Sequence, residues 1–273
     1  MSDYIYDSRP GKAGLSSTIK NKVAVMSIPA IKIYDLAFQY PRQEGVCFKN
    51  FNLEIGAGER FGLFGPNGAG KTTLMNLMTG LLKYSAGSIR LLGHEIKDHP
   101  KSINNIFGFV PQDLSFYPEL SARENLAFYG TWYGLSRKEI KIRTEELLEV
   151  LGLSSIGDRI LRNFSGGMKR RVNLAIGIMH KPKVLFLDEP TVGVDVQSRY
   201  AIIHFLKKQN ESGTTLIYTS HQLEEAAELC NKIALIDNGK IIGHDSLNNL
   251  LQKHGHEGIE ELFLALTGKR FRD

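Results

Sequence analysis

Long hydrophobic runs are missing from this sequence of 273 residues. No stretch approaches the ~18 consecutive apolar residues that a membrane-spanning helix needs, so any membrane role would require a partner protein. The start of the chain also lacks the apolar core of about 7–15 residues that marks a secretory signal, since its longest apolar stretch is Val23 to Met26. We predict that residues 1–29 form a flexible extension, with an arm that docks on a partner or a lipid surface as the alternative.

Cysteine is scarce, and neither sign of charge dominates. Cys47 and Cys230 are far apart in sequence and form no CxxC pair. This favours a reducing cytosolic setting over a disulfide scaffold. The net charge of +5 is compatible with ATP, acidic lipid or nucleic acid as a partner and is diagnostic of none of them.

One glycine-rich stretch carries the strongest functional signal. Residues 65–73 fit the phosphate-binding pattern G-x-x-x-x-G-K-[ST]. Glycines let successive backbone N–H groups face one anion-binding concavity, Lys71 supplies a cation for the β- and γ-phosphates, and the Thr72 hydroxyl can ligate Mg²⁺. An apolar strand before the stretch and a helix after it favour this interpretation over a structural turn. The predicted nucleotide-binding residues are Gly65, Pro66, Asn67, Gly68, Ala69, Gly70, Lys71, Thr72 and Thr73.

Two adjacent carboxylates end an apolar strand that runs from Val184 to Leu187. Because ligands bind beyond the carboxyl ends of parallel strands, Asp188 and Glu189 are expected beside the phosphate loop. Asp188 can hold Mg²⁺, and Glu189 can accept a proton from the water that attacks the γ-phosphate. A polar pair that merely caps the strand is the alternative.

Two further polar residues follow strands at the same predicted edge of the sheet. Gln112 can ligate Mg²⁺ or orient water, with a solvated loop position as the alternative. His221 can hydrogen-bond the γ-phosphate, with a structural role as the alternative. The candidate catalytic residues are therefore Glu189, His221, Gln112 and Lys71, and the candidate magnesium ligands are Thr72, Gln112 and Asp188.

A second anion site is predicted at the start of a later helix. Ser165 can cap that helix, and Gly166 and Gly167 let a phosphate approach the backbone closely. Two half-sites in one chain make sense if two copies meet head-to-tail and each nucleotide bridges them. The basic run from Lys169 to Arg171 that follows fits a solvated helix face.

The order of strand and helix signals predicts an α/β fold. Short alternating strands between residues 31 and 55 indicate an antiparallel layer before the phosphate loop. From Val184 onward strands alternate with helices, which predicts a mostly parallel sheet with helices on its faces. Residues from about 112 to 164 carry helix signals, including capping boxes at Ser121 and Ser136, and no strand signal.

Taken together, these motifs resemble the ATP-binding subunits of ABC transporters over about residues 31–268. Residues 65–73 are similar to the Walker A motif and residues 185–189 to the Walker B motif. Gln112 resembles the Q-loop glutamine, Asp195 the D-loop aspartate at the nucleotide, and His221 the switch histidine. Tyr40 resembles the aromatic residue that stacks on adenine, and Tyr34 is the alternative stacking residue.

The resemblance implies a P-loop (RecA-like) core with a mostly parallel sheet, an N-terminal antiparallel β-layer and an inserted helical subdomain. The corresponding boundaries are an ATPase domain at 30–250, an insert at about 112–164 and a C-terminal tail at 251–273. ATP and Mg²⁺ are the implied cofactors. The implied partners are a second copy of the chain or a paralogous ATPase subunit, and an integral membrane permease that holds the chain peripherally at the cytoplasmic face of the membrane. No nucleic acid is expected.

Departures from the family pattern are few. Phe164 and Met168 stand where the family signature usually has the Leu and Gln of Leu-Ser-Gly-Gly-Gln, and Val194 stands where its D-loop commonly has Leu. Within the family the chain looks like the ATPases of ABC-2-type exporters. This likeness rests on Pro111-Gln112, residues 117–126, the Met-Lys-Arg-Arg run that ends the signature, and residues 262–270.

Aromatic residues near Gln112 predict a groove that receives a short helix of the permease. The residues that supply this surface are Phe116, Tyr117, Leu120, Leu126, Phe128 and Trp132. The alternative is that they only pack the insert, and this alternative fits Leu126 and Trp132 best.

Two other classes compete with a transporter subunit. A related ATPase that acts on DNA or ribosomes would bring a long coiled coil or a second ATPase cassette, and the chain shows neither. An unrelated kinase or GTPase would lack the Ser165–Gly167 stretch and the histidine after the last core strand. His254 and His256 do not make a full set of metal ligands.

Overall fold

The chain is described by a computed structural model, which covers residues 28–41, 47–97, 101–220 and 222–268. The predicted extension up to residue 27, His221 and residues 269–273 of the predicted tail lie outside the described residues. Among the described residues, no helix has both the length and the apolar character needed to cross a bilayer.

Ten strands within these ranges form two sheets. The strands are β1 (Ile31–Phe38), β2 (Phe48–Ile55), β3 (Arg60–Phe64), β4 (Ala86–Leu91), β5 (His94–Glu95), β6 (Phe107–Val110), β7 (Val184–Asp188), β8 (Thr215–Ser220), β9 (Lys232–Asp237) and β10 (Lys240–Asp245). One sheet is antiparallel in the order β2-β1-β4-β5. The other has the order β10-β9-β3-β8-β7-β6 and is parallel except for β10 at its edge.

The helices of the described residues lie between and after these strands. They are α1 (Lys71–Met78), α2 (Ala122–Trp132), α3 (Arg137–Val150), α4 (Gly166–Gly177), α5 (Val196–Glu211), α6 (Leu223–Leu229), α7 (Leu247–His254) and α8 (Ile259–Thr267). The predicted α/β fold with a mostly parallel sheet, an antiparallel layer and a helical insertion is confirmed.

The parallel sheet is covered on both faces, which explains its apolar strands. Along β7, Val184 and Phe186 pack into the core shared with the antiparallel sheet and α1. Leu185 and Leu187 point the other way and pack into the core shared with α2 to α8. A strand buried on both sides reads as a continuous apolar run rather than an alternating one.

Both predicted capping boxes form at the helices of the insert. Ser121 accepts a hydrogen bond from the backbone N–H of Glu124, and Ser136 accepts one from that of Glu139. Each glutamate side chain returns a bond to the N–H of its serine, so two otherwise unpaired donors are satisfied at each helix start.

Two helices, α7 and α8, lie at the C-terminal end of the described residues. The predicted boundary at residue 251 falls inside α7. In α8, Leu262 and Phe263 are fully buried and belong to the same core as the helical layer. Residues up to 268 are therefore part of the folded unit, because their apolar side chains complete that core.

Candidate active site

Three neighbouring strands converge on the candidate site. β3 lies next to β8, with Phe64 paired to Ser220, and β8 lies next to β7, with Thr219 paired to Asp188. The phosphate loop therefore starts at the same edge of the sheet at which Asp188 and Glu189 end β7. In the sequence His221 directly follows β8, and this residue is outside the described residues.

The phosphate loop uses glycines for two different reasons. Gly68 and Gly70 have φ angles of 81° and 106°, in the left-handed region that glycine adopts without strain. Gly65 has another constraint, since a Cβ there would lie 2.2 Å from the backbone oxygen of Ile236 in β9. The close approach of β9 was not predicted from the sequence, because it joins residues far apart in the chain.

Lys71 is buried at the start of α1. Its Nζ donates hydrogen bonds to the carbonyl oxygens of Gly65 at 2.8 Å and Pro66 at 3.2 Å, so the loop wraps around the ammonium group. Burial lowers the pKa of Lys71, while the carboxylates of Glu189 and Asp188 act in the opposite direction. The loop thus holds a partly desolvated cation, which attracts an anion more strongly than a solvated one does.

Asp188 is buried and held by two hydroxyl groups. Thr219 Oγ1 donates to its Oδ1 at 2.6 Å, and Thr72 Oγ1 lies at 3.5 Å from the same atom. Burial raises the pKa of Asp188, and the bonds from Thr219 and Thr72 partly offset this. One carboxylate and one hydroxyl are oxygen donors that suit Mg²⁺, which usually completes its ligands with water and phosphate oxygens. These residues therefore fit the predicted magnesium site.

Glu189 is held in an unusual backbone conformation. Its φ of 49° lies in the left-handed region, which is rare for a residue other than glycine. Its N–H donates to the carbonyl oxygen and to Oγ1 of Thr219, at 3.2 and 3.1 Å. Gln112 Nε2 donates to its Oε2 at 3.3 Å. Strained conformations of this kind cluster at functional sites, and here the conformation brings Glu189 and Gln112 together.

Arg170 of α4 is hydrogen-bonded to the loop that contains Gln112. The side chain is buried, and its Nη1 donates to the backbone oxygen of Gln112 at 2.6 Å. Its Nη2 donates a long hydrogen bond, of 3.5 Å, to the backbone oxygen of Val192. Burial lowers the pKa of Arg170, while the charges of Asp113 and Glu189 act against this.

The prediction of a solvated basic helix face is therefore wrong for Arg170. The helical spacing could have indicated its burial. Arg170 falls on the same face of α4 as Gly167, Leu174 and Gly177, and this face is buried. Arg171 is also engaged, since its Nη1 donates to Leu151 O at 2.8 Å.

Asn173, one turn after Arg170, holds the same loop at two further points. Its Nδ2 donates to Pro111 O at 3.3 Å, and its Oδ1 accepts from the N–H of Ser115 at 3.0 Å. Both residues were missed from the sequence. Together they attach the loop that begins the insert to the helix that follows the insert.

Tyr40 lies against the phosphate-loop helix. Its hydroxyl is hydrogen-bonded to Thr73 Oγ1 at 2.9 Å, and its ring meets the edge of Phe38 at a centroid distance of 4.9 Å. Tyr34 is 67% exposed on β1 and has no such contact with the loop. Of the two predicted stacking residues, Tyr40 is therefore the one that the structure places beside the phosphate loop.

The second predicted anion site lies at the start of α4. Ser165 Oγ accepts a hydrogen bond from Met168 N at 3.3 Å, as an N-cap. Within the described part of the chain, no hydrogen bond joins Ser165, Gly166 or Gly167 to residues 65–73. Phe164 is buried and Met168 packs against the core, so both departures from the family signature are apolar packing positions.

Asp195 lies beside this signature stretch and caps α5. Its Oδ1 accepts from Ser198 N at 2.9 Å and its Oδ2 from Ser198 Oγ at 2.8 Å. These bonds lower the pKa of Asp195. A Cβ on Gly167 would lie 2.3 Å from Ser198 Oγ, so this glycine is required by the packing of α4 against α5.

Comparison with known proteins identifies the family. The family described as ABC transporter matches residues 48–192. The linearmycin resistance ATP-binding protein LnrL of Bacillus subtilis is 42% identical over 82% of this chain and 72% of its own length. The Nod factor export ATP-binding protein I of Ralstonia nicotianae is 35% identical over 90% and 73%. The daunorubicin resistance ATP-binding protein DrrA3 of Streptomyces coeruleorubidus is 34% identical over 80% and 72%.

Solved structures agree with this assignment. The ATP-binding subunit of an ABC transporter superimposes with a TM-score of 0.79 at 27% identity, over 87% of this chain and 99% of that one. A dimeric ATP-binding cassette, in a post-hydrolysis state with ADP and Pi, superimposes with a TM-score of 0.72 at 27% identity, over 80% and 98%. The resemblance stated from the sequence is confirmed: this chain belongs to the ABC transporter family, as an ATP-binding subunit with ATPase activity.

Proposed function

We propose that the chain hydrolyses ATP to drive export through a membrane permease of the ABC-2 type. The observation that carries this proposal is the hydrogen bond from Gln112 to Glu189, because it joins the general base to the loop that opens the helical insert. The names of the relatives, which refer to drug resistance and Nod factor export, support the direction of transport. The chain would then lie peripherally at the cytoplasmic face of the membrane, held by the permease.

In the proposed reaction, the backbone amides of residues 65–73 and the ammonium of Lys71 bind the phosphates of ATP. Glu189 accepts the proton of the attacking water, and Gln112 orients that water. Thr72 and Asp188 would hold Mg²⁺, which would neutralise charge on the phosphates. His221 is proposed to hydrogen-bond the γ-phosphate, from its position directly after β8.

The proposed reaction needs a second chain. Ser165 and Gly166 are exposed at the start of α4, where backbone N–H groups can bind an anion. We propose that a second copy, or a paralogous subunit, places this helix start on the ATP held by the first copy. Asp195 would lie at the same interface, since it is next to Gly167.

The permease is proposed to dock on the insert, at about residues 112–164. Tyr117 and Phe128 meet edge to face at 4.9 Å and are 46% and 41% exposed. Trp132 is 78% exposed and lines a cavity of about 510 Å³ with Phe128. Exposed aromatic clusters of this kind mark protein–protein contacts.

The predicted groove needs one correction. Leu126 is fully buried and packs the insert, so its assignment to the groove was wrong and the packing alternative is right for it. Trp132 is 78% exposed, so the alternative that it packs the insert is wrong, and its place in the groove stays a proposal.

Replacement of Tyr117 by Ser tests the docking surface. We expect the isolated chain to remain folded and to hydrolyse ATP, because Tyr117 is half exposed, whereas copurification with the permease and transport should be lost. Tyr34→Ser is the matched control, because Tyr34 is an exposed tyrosine on the antiparallel sheet. This variant should keep both copurification with the permease and transport. If Tyr117→Ser copurified normally with the permease, or failed to fold, the proposed docking surface would be contradicted.

Replacement of Tyr40 tests the adenine contact. Tyr40→Ala should weaken ATP binding by about 1–3 kcal/mol, by analogy with base–aromatic stacking. Tyr40→Phe keeps the ring and loses only the hydrogen bond to Thr73, so it should retain most of the affinity. Titration calorimetry with ATP and GTP checks both, and the preference for ATP should be modest because a ring face does not read base edges. Unchanged ATP affinity in Tyr40→Ala would assign stacking to another residue.

A further inference from the structure

A polar cavity lies at the edge of the parallel sheet opposite to the ATP site. It has a volume of about 390 Å³ and is lined by Lys183 and Thr214, which directly precede β7 and β8. Arg143 lines it from α3, on the insert. The cavity therefore lies between the helical insert and the core, at the amino ends of strands whose carboxyl ends form the ATP site.

The lining of this cavity is strongly basic. Arg143, Lys181 and Lys183 contribute three cations, with Gln209, Ser212 and Thr214 as neutral hydrogen-bonding groups. Within the described residues, no ion pair or hydrogen bond of the Lys181 or Lys183 side chain is found. Both lysines are exposed, and Lys181 also interacts with the charge of Glu139. An anion in the cavity would reduce the repulsion between these like charges.

Arg143 has donor capacity left for a ligand. Its Nη1 pairs with Glu146 at 3.1 Å and its Nη2 donates to Ile178 O at 3.2 Å. Its Nε is buried and has no hydrogen-bond partner among the described residues. A buried donor without a partner is destabilising, and an anion in the cavity could supply the missing acceptor.

The acidic groups near the cavity are already engaged. Glu146 is paired with Arg143. Hydrogen bonds from Ser136 lower the pKa of Glu139, and the charge of Lys181 helps to lower it. The carboxylate of Glu139, however, is engaged at the start of α3, where it accepts a hydrogen bond from Ser136 N at 2.8 Å. The two carboxylates do not neutralise the cavity, because its lining contains three cations.

Backbone strain at the rim points in the same direction. Lys181 has a φ of 54°, in the left-handed region, and its N–H donates to Ile178 O at 3.1 Å. This conformation is unfavourable for a residue other than glycine, and such strain is concentrated at ligand sites. The strained turn sets Lys181 at the cavity, two residues before Lys183.

We propose that this cavity binds a compact anion that carries two or more phosphate groups, and that the anion ties α3 to the core. Ammonium and guanidinium groups form their strongest hydrogen bonds with phosphate oxygens, and serine and threonine hydroxyls add further donors. The lining has no aromatic ring on which a nucleobase could stack, so the site recognises phosphate rather than nucleotide. The site is independent of the proposed transport role.

Titration calorimetry of inorganic pyrophosphate into the full-length, nucleotide-free chain tests the proposal. Pyrophosphate should bind twice per chain, once at the phosphate loop and once at the cavity. The Lys181→Gln/Lys183→Gln variant should lose the cavity event, with a drop in affinity of at least about tenfold for each lysine. The Lys181→Arg/Lys183→Arg variant should keep it, and Lys71→Met should lose only the phosphate-loop event.

The matched control changes the same charge elsewhere. Lys83 and Lys253 are exposed and distant in sequence from the cavity, so Lys83→Gln/Lys253→Gln should still bind pyrophosphate twice. A single binding event in the wild type that Lys71→Met removes would overturn the proposal. So would two events in Lys181→Gln/Lys183→Gln, or an equal loss in both glutamine variants, which would show only a general effect of net charge.

Discussion

Replacement of Glu189 by Gln is expected to slow ATP turnover by about 10²–10⁴-fold while ATP binding stays largely intact. An amide keeps the size of the carboxylate but cannot accept the proton of the attacking water. The backbone bonds from Glu189 N to Thr219 do not involve the side chain, so the local fold should persist. Steady-state phosphate release and ATP calorimetry together measure the two effects.

The control for this variant is Glu211→Gln, which removes one carboxylate at the exposed end of α5. It should turn over ATP at the wild-type rate. If Glu189→Gln retained more than about a tenth of the wild-type rate, a general base at this position would be excluded, since general base catalysis contributes at least about 10²-fold.

Replacement of Lys71 by Met is expected to weaken ATP binding by about 10²–10³-fold. Removing one partner of a buried, hydrogen-bonded charge pair costs about 2–5 kcal/mol, and each 1.4 kcal/mol is about tenfold in affinity. Methionine has a similar length and no charge.

Thermal unfolding with and without ATP separates affinity from folding in this variant. ATP should raise the unfolding temperature of the wild type and of Lys83→Met, a control at an exposed lysine, and should have little effect on Lys71→Met. Equal ATP stabilisation in all three proteins would contradict the assigned role of Lys71.

Features that depend on short stretches of sequence were predictable. The capping boxes at Ser121 and Ser136 involve residues three positions apart, and both form as predicted. The phosphate loop and the apolar strand before Asp188 are likewise local patterns. Their placement at one edge of the sheet followed from a general rule for parallel strands, and Asp188 does lie beside Thr72.

The individual hydrogen bonds and close contacts between residues distant in sequence were not predicted. Arg170 bonds Gln112 from 58 residues away, and Thr219 bonds Asp188 from 31 residues away. Gly65 is required because of Ile236 in a strand near the end of the chain. The exposure of Trp132 and the burial of Leu126, on the same helix, were settled by how α2 packs against α3 and α4. Composition and helical spacing alone did not separate them.

Light scattering of Glu189→Gln with Mg²⁺ and ATP tests the proposed head-to-tail dimer. If each ATP bridges Lys71 of one chain and Ser165 of another, blocked hydrolysis should hold two chains together, with a mass near twice the 30.5 kDa of the monomer. The same protein with ADP should be monomeric. A mass near 30.5 kDa with ATP, at every workable protein concentration, would contradict the proposed head-to-tail dimer.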